Sequence, residues 1–208
     1  MNDLLVRTLT ALVLIVAALL AAFQGGYVFA VVVAAAATAM FYEWTRLARG
    51  WGPLWYIGGL LYALLPALSL LWIRERAGID LLLWVFIVTW STDIGAYFAG
   101  RKFGRRKLAP AISPGKTVEG LYGGMVAAAL LGGAWVLFAG LGKPLLAFPP
   151  LLAALAQAGD LFESSMKRRA GVKDSGSWLP GHGGVLDRLD GLVPVAVVTA
   201  LAQLAGLT

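Results

Sequence analysis

The chain is 208 residues long, 60% hydrophobic and only 13% charged, with a mean hydropathy of +0.79. Such a composition lies far outside the range of water-soluble globular domains and points to a polytopic membrane protein without a separate soluble domain. The absence of cysteine excludes disulfides and thiolate metal sites, and the formal charge of +6 reads first as membrane topology and attraction to anionic headgroups, not as a nucleic-acid surface.

About 20 helical residues cross a hydrocarbon core of about 30 Å. On that measure seven apolar stretches are predicted as spans of an all-α transmembrane helical bundle, near residues 5–23, 27–48, 54–73, 79–99, 118–141, 145–166 and 185–206. The first follows Arg7 and has the look of a secretory signal, but Gln24-Gly25-Gly26 leads straight into another apolar run. A retained span is therefore expected. Trp44, Trp51, Trp55 and Trp72 fall near span ends and read as interfacial anchors. Glu43 and Arg46, three residues apart at a helix end, are expected to pair with each other.

Alternating the spans places Arg7, Arg46, Arg49, the run Arg101–Lys107, Lys116 and the basic residues from Lys167 to Arg188 on one side, 14 of the 17 in the chain. Arg74, Arg76 and Lys143 remain on the other. The positive-inside rule makes the rich side cytoplasmic, with the N-terminus inside and the C-terminus outside. Asp93, Glu119, Asp160, Asp187 and Asp190 then fall toward the same leaflet, and Asp80 toward the other. Ionisable groups near lipid are expensive, so their gathering predicts a shared site at the cytoplasmic membrane face. Carboxylates beside many cations fit Mg²⁺ with phosphate oxygens.

Two polar stretches interrupt the spans. Arg101–Glu119, RKFGRRKLAPAISPGKTVE, ends in Gly-Lys-Thr like a P-loop, yet Pro110 stands where the first glycine belongs. Ser113, Lys116 and Thr117 remain candidate phosphate ligands through a hydroxyl, an ammonium and the amides opening the next helix. Gly120 and Gly124 follow at GxxxG spacing; this face is expected to pack closely within the chain or between two, and a homodimer through it is one expectation.

The second stretch, Gly159–Gly191, holds five of the eleven acidic residues, five of the seventeen basic ones and the only histidine. On a helix Asp160, Ser164 and Lys167 share one face, as do Asp187 and Asp190. Glycines and Pro180 between Gly171 and Gly184 predict a loop. His182 stands alone and is no metal site by itself. Ser164 and Ser165 lack a base at an assignable spacing and read as packing or substrate-contact hydroxyls.

Ser165–Asp190, SMKRRAGVKDSGSWLPGHGGVLDRLD, resembles the signature of the phosphatidate cytidylyltransferase (CDP-diacylglycerol synthase) family, and Thr92–Gly100 (TDIGAYFAG) and Leu108–Gly120 (LAPAISPGKTVEG) look like sequence of the same family. Upstream of Ile79 the likeness fades into generic spans, and the chain is shorter than family members usually are. The expected division is residues 1–78 as shortened N-terminal membrane spans and 79–208 as a catalytic membrane domain with cytosolic loops.

The resemblance implies a nucleotidyltransferase of phospholipid biosynthesis that transfers CMP from CTP to phosphatidic acid, releasing pyrophosphate, with Mg²⁺ required. It implies Asp160, Lys167, Asp187 and Asp190 as catalytic residues, the three aspartates also holding Mg²⁺. Substrate contacts would come from Asp93, Ser113, Lys116, Thr117, Ser164, Arg168, Lys173, His182 and Arg188. A phosphate monoester is already a nucleophile near neutral pH, so such a site must chiefly position two polyanions and neutralise charge. The alternatives are a CTP-dependent polyprenol kinase, which would release CDP, and a non-catalytic transporter or scaffold. Against the latter, the acids gather at one leaflet and form no path across the membrane.

Overall fold

The computed structural model describes residues 3–207. Helices α1 (Asp3–Gln24), α2 (Gly26–Leu47), α3 (Pro53–Trp72) and α4 (Ile79–Phe103) are followed by a hairpin of β1 (Lys107–Ala109) and β2 (Ser113–Thr117), then by α5 (Val118–Phe138), α6 (Pro149–Arg169), α7 (Leu186–Leu189) and α8 (Leu192–Leu204). The helices are long apolar runs punctuated by glycine and proline. Gly25, with φ 67°, lets the chain reverse between α1 and α2, and Pro53 opens α3 where no intrahelical N–H is needed. A π-helical turn, Ile73–Ala77, extends α3, and a 3₁₀ turn, Lys143–Ala147, precedes α6.

Among the described residues, four segments are long and apolar enough to cross a membrane: Gly26–Leu47, Pro53–Ala77, Ile79–Phe103 and Val118–Phe138. The apolar parts of α1 and α8 are shorter, and α6 carries two acids and ends in three basic residues. The stretch expected as a single span over 185–206 is helical as α7 and α8, joined at Asp190–Gly191, where both residues keep right-handed helical dihedrals. The ladder is interrupted at that junction, Gly191 N donating to Asp190 Oδ1 at 2.7 Å. Leu12, Val31, Leu54 and Leu60 are among many large apolar side chains facing outward, a surface suited to lipid.

Helix α4 runs through the core, with Leu82, Trp84, Val85 and Val88 fully buried and Trp84 Nε1 donating to Gly132 O at 3.1 Å. Its closest partner is α5, and glycines set the approach. A Cβ on Gly124 would lie 2.8 Å from Thr92 O, and one on Gly120 would lie 3.0 Å from Ala96 O. The small-residue face is therefore filled by α4 of the same chain. The homodimer expected through it has no free face there.

At one end of the bundle Arg74 caps the last turn of α1, Nε donating to Ala22 O at 2.6 Å and Nη2 to Phe23 O at 3.2 Å. At the other end the expected Glu43–Arg46 pair does not form. Glu43, 1% exposed, accepts from Val185 N at 3.0 Å and Leu186 N at 2.8 Å, whereas Arg46 lies over the Tyr42 ring at 5.9 Å. A desolvated carboxylate takes the donors that share its buried side, and the neighbouring arginine stays on the surface. Glu43 thus fastens the chain entering α7 to α2.

Candidate active site

A cavity of ≈ 870 Å³ opens at the end of the bundle that carries the hairpin and the 171–185 loop. Helix α4 brings Asp93, the hairpin Ser113, Lys116 and Thr117, helix α6 Asp160, Lys167 and Arg168, the loop Lys173, and the α7 region Asp187, Arg188 and Asp190. These groups come from three separate stretches of sequence. Gly159 makes part of the meeting possible: a side chain there would strike the Asp190 carbonyl, so its absence lets α6 approach the break between α7 and α8.

One network runs along the hairpin side. Lys116 Nζ lies 2.6 Å from Asp160 Oδ2 and donates to Gln157 Oε1 at 2.8 Å, and Gln157 Nε2 reaches Asp93 Oδ1 at 3.4 Å. Ser164 Oγ donates to Asp160 Oδ1 at 3.2 Å. The sequence reading missed Gln157, although a glutamine three residues before Asp160 in an apolar helix was a signal. Thr117 caps α5, its hydroxyl accepting from Gly120 N at 3.0 Å. Glu119 does not line the cavity; it accepts from the amides of Arg105 and Arg106 at 3.1 and 3.2 Å and closes the turn after α4.

A second network centres on Lys167, whose ammonium lies 2.9 Å from Glu163 Oε2 and 2.5 Å from Asp187 Oδ1. Asp187 Oδ2 accepts from Ser175 N at 2.9 Å and Gly184 N at 2.8 Å. Ser175 Oγ is 2.9 Å from both Asp187 Oδ2 and Glu43 Oε2; with one hydroxyl proton it donates to one of them at a time. Asp187 thereby ties the loop to α6, and Ser175 reaches α2 through Glu43.

Among the described residues, the carboxylates of Asp160, Glu163 and Asp190 converge, with one oxygen of each within 4.8 Å of the others. Glu163 is 1% exposed and its Oε1 is buried without a hydrogen-bond partner. An orphaned carboxylate oxygen in an all-oxygen acidic cluster fits a hard cation. In place of the expected third member, Asp187, the fold brings Glu163, which lies three residues after Asp160 on the same helix.

His182 does not line the cavity; its carbonyl accepts from Arg188 Nε at 3.1 Å, while its ring Nδ1 lies 3.4 Å from Pro180 O. Arg168 ties the hairpin tip to the loop, Nε donating to Ile112 O and Nη1 to Val172 O, both at 3.2 Å. Lys173 and Arg188 are exposed at the rim and, among the described residues, form no salt bridge.

The profile of the cytidylyltransferase family matches residues 50–204. The chain belongs to that family. This cytidylyltransferase-family chain is 40% identical to a phosphatidate cytidylyltransferase of Brucella suis biovar 1 (strain 1330) over 255 positions, covering 97% of this chain and 93% of the relative. It is 41% identical to a phosphatidate cytidylyltransferase of Pseudomonas aeruginosa over 184 positions, 82% of this chain and 66% of the relative. A third, from Bacillus subtilis (strain 168), is 50% identical over 119 positions, 56% of this chain and 44% of the relative. The family match thus begins well upstream of Ile79, where the sequence reading lost it. The Brucella alignment spans 255 positions against a chain of 208 residues, so that relative carries internal residues with no counterpart here.

Proposed function

We propose that the protein is a phosphatidate cytidylyltransferase, transferring CMP from CTP to phosphatidic acid to give CDP-diacylglycerol and pyrophosphate. The observation that carries this reading is the convergence of Asp160, Glu163 and Asp190, the buried Glu163 with an orphaned oxygen, at the wall of a cavity that Asp160 and Asp190 line together with Lys116, Lys167, Arg168, Lys173 and Arg188. Acids that would hold Mg²⁺ and cations that would hold phosphate face one space.

In this reading Asp160, Glu163 and Asp190 hold Mg²⁺, which when bound neutralises charge on the triphosphate and the leaving pyrophosphate. Lys173 and Arg188, free of carboxylate partners at the rim, take phosphate oxygens first. Lys116 and Lys167, each held on a carboxylate, orient toward the same space and stabilise charge that builds at the α-phosphorus. Asp187 holds Lys167 and the loop in position. The phosphatidate phosphate attacks without a strong base because it is already ionised.

An apolar slot of ≈ 170 Å³ between α2, α3, α4 and α8 supports a lipid acceptor. It is lined by groups such as Phe29, Met40, Pro66 and Phe86, and it shares Asp93 and Arg188 with the polar cavity. A lipid lying in the slot would present its phosphate at that junction.

The proposed topology keeps seven membrane segments, α7 and α8 together forming the last, with the N-terminus and the cavity on the cytoplasmic side, where CTP is found. Residues 79–208 then form the catalytic part, and residues 1–78 supply lipid-facing helices together with Glu43. The test is incubation of the purified protein in detergent with phosphatidic acid, labelled CTP and Mg²⁺. A lipid-linked cytidine nucleotide with release of pyrophosphate is expected; release of CDP would instead make it a lipid kinase.

A further inference from the structure

Behind the active-site loop lies a second hollow, of ≈ 520 Å³, lined among others by Arg46, Arg49, Trp51, Arg169 and residues 174–177. It shares only Asp174 with the catalytic cavity. We propose that this hollow binds the phosphate of a non-substrate anionic phospholipid from the surrounding leaflet, with one acyl chain lying along α3. The proposal does not depend on the reaction assigned above.

Charge is the first argument. The three arginines are exposed, and among the described residues none of them forms a salt bridge. The single acid on the wall is Asp174. Arg46 and Arg49 also border an adjoining hollow of ≈ 600 Å³ with Tyr42 and Tyr56, so the positive region is broad and open.

Preorganisation is the second. The Arg169 guanidinium lies 4.3 Å from the Trp51 ring centroid and 5.1 Å from that of Trp55, and the two indoles pack edge to face at 4.9 Å. Stacking holds the planar group while leaving its N–H edge for phosphate oxygens. Paired indoles of this kind belong at the headgroup level of a bilayer.

The third argument identifies the ligand as a lipid and not a soluble phosphate. From Trp55 an apolar groove of ≈ 470 Å³ continues along α3, walled by Leu54, Leu61 and Leu65 and by Phe162 of α6. Gly58 leaves its floor open: a Cβ there would sit 3.9 Å from Trp44 and point into ordinary contact distance. A cationic head site that Trp51 lines and an apolar groove that Trp55 lines, joined by the contact between the two indoles, match an amphiphile. Occupancy would brace the loop whose Ser175 amide holds Asp187 at 2.9 Å, which gives the membrane's anionic content a route to the active site.

The experiment measures saturable binding of a fluorescent phosphatidylglycerol to the full chain in neutral detergent. The variants are the triple Arg46→Gln/Arg49→Gln/Arg169→Gln, Gly58→Leu, and Lys116→Gln as a cavity control, each checked for folding by thermal unfolding. Wild type and Lys116→Gln should bind alike; the triple variant should bind about a hundredfold more weakly, since it removes three basic residues worth about 1 kcal/mol each near an anionic lipid, and Gly58→Leu, which fills the groove, should also bind more weakly. Unchanged binding by the triple variant overturns the head site. Binding lost equally in Lys116→Gln places the lipid in the catalytic cavity and overturns the separate site. Displacement by soluble glycerol 3-phosphate as effective as by phosphatidylglycerol itself overturns the groove.

Discussion

Lys116 Nζ lies 2.6 Å from Asp160 Oδ2, which joins the hairpin after α4 to the polar end of α6. Two stretches that the sequence could only set side by side are one site in space. The ammonium neutralises one member of a crowded acidic group and stays at the cavity wall, where a triphosphate would meet it.

Lys116→Ala removes both functions. A charge-assisted hydrogen bond is worth about 1.5–3 kcal/mol, so kcat/KM for CTP should fall about 10- to 100-fold. Lys143→Ala, at the opposite end of the bundle, should leave it unchanged. Steady-state kinetics on both variants provides the check, and an equal loss in the two would mean that positive charge serves insertion alone.

Glu163→Gln and Asp187→Asn separate ligation from positioning. The first removes charge from the converged acids and should move half-saturation for Mg²⁺ upward by at least about tenfold, as loss of a metal-site group commonly does. The second removes the charge facing Lys167 and leaves a single acceptor oxygen, so the Lys167 contact and the loop bonds cannot both be kept; it should lower kcat and thermal stability at an unshifted Mg²⁺ midpoint. The measurement is activity against Mg²⁺ concentration. A shifted midpoint in Asp187→Asn with none in Glu163→Gln would make Asp187 the ligand.

Glu43→Ala should destabilise strongly although it lies outside the cavity. The amides of Val185 and Leu186 would lose their acceptor in a buried place, at about 1–3 kcal/mol for each unsatisfied group. Thermal unfolding in detergent should show a lower Tm for Glu43→Ala and near-wild-type behaviour for Arg46→Ala. Similar losses in both would restore the surface pair.

Topology can be probed in a chain that has no cysteine of its own. Gly176 is a poor probe position because a side chain there strikes the Glu43 carboxylate, whereas Lys102, Ser177 and Lys143 are exposed. Lys102→Cys and Ser177→Cys should be labelled from the cytoplasmic side, and Lys143→Cys from the other. Labelling of all three from one side would refute the proposed arrangement.

Composition alone decided that this is a helical membrane protein, because a chain this apolar can satisfy its backbone in lipid only through helices or closed barrels. The dense polar stretches also marked which residues would gather, since ionisable groups are expensive beside lipid. That Asp160, Lys167 and Asp190 would line one cavity was legible for that reason. The partners of these residues were not. Glu43 looked like half of a surface pair until the fold buried it under residues 175–186, Glu163 looked incidental until α6 met the α7–α8 break, and Gly120–Gly124 looked like a face for a second chain until α4 filled it. Each depends on which surfaces meet across distant parts of the chain, and helical periodicity fixes a residue's own face without saying what packs against it. Only the tertiary structure decides which carboxylate is left with an oxygen to spare.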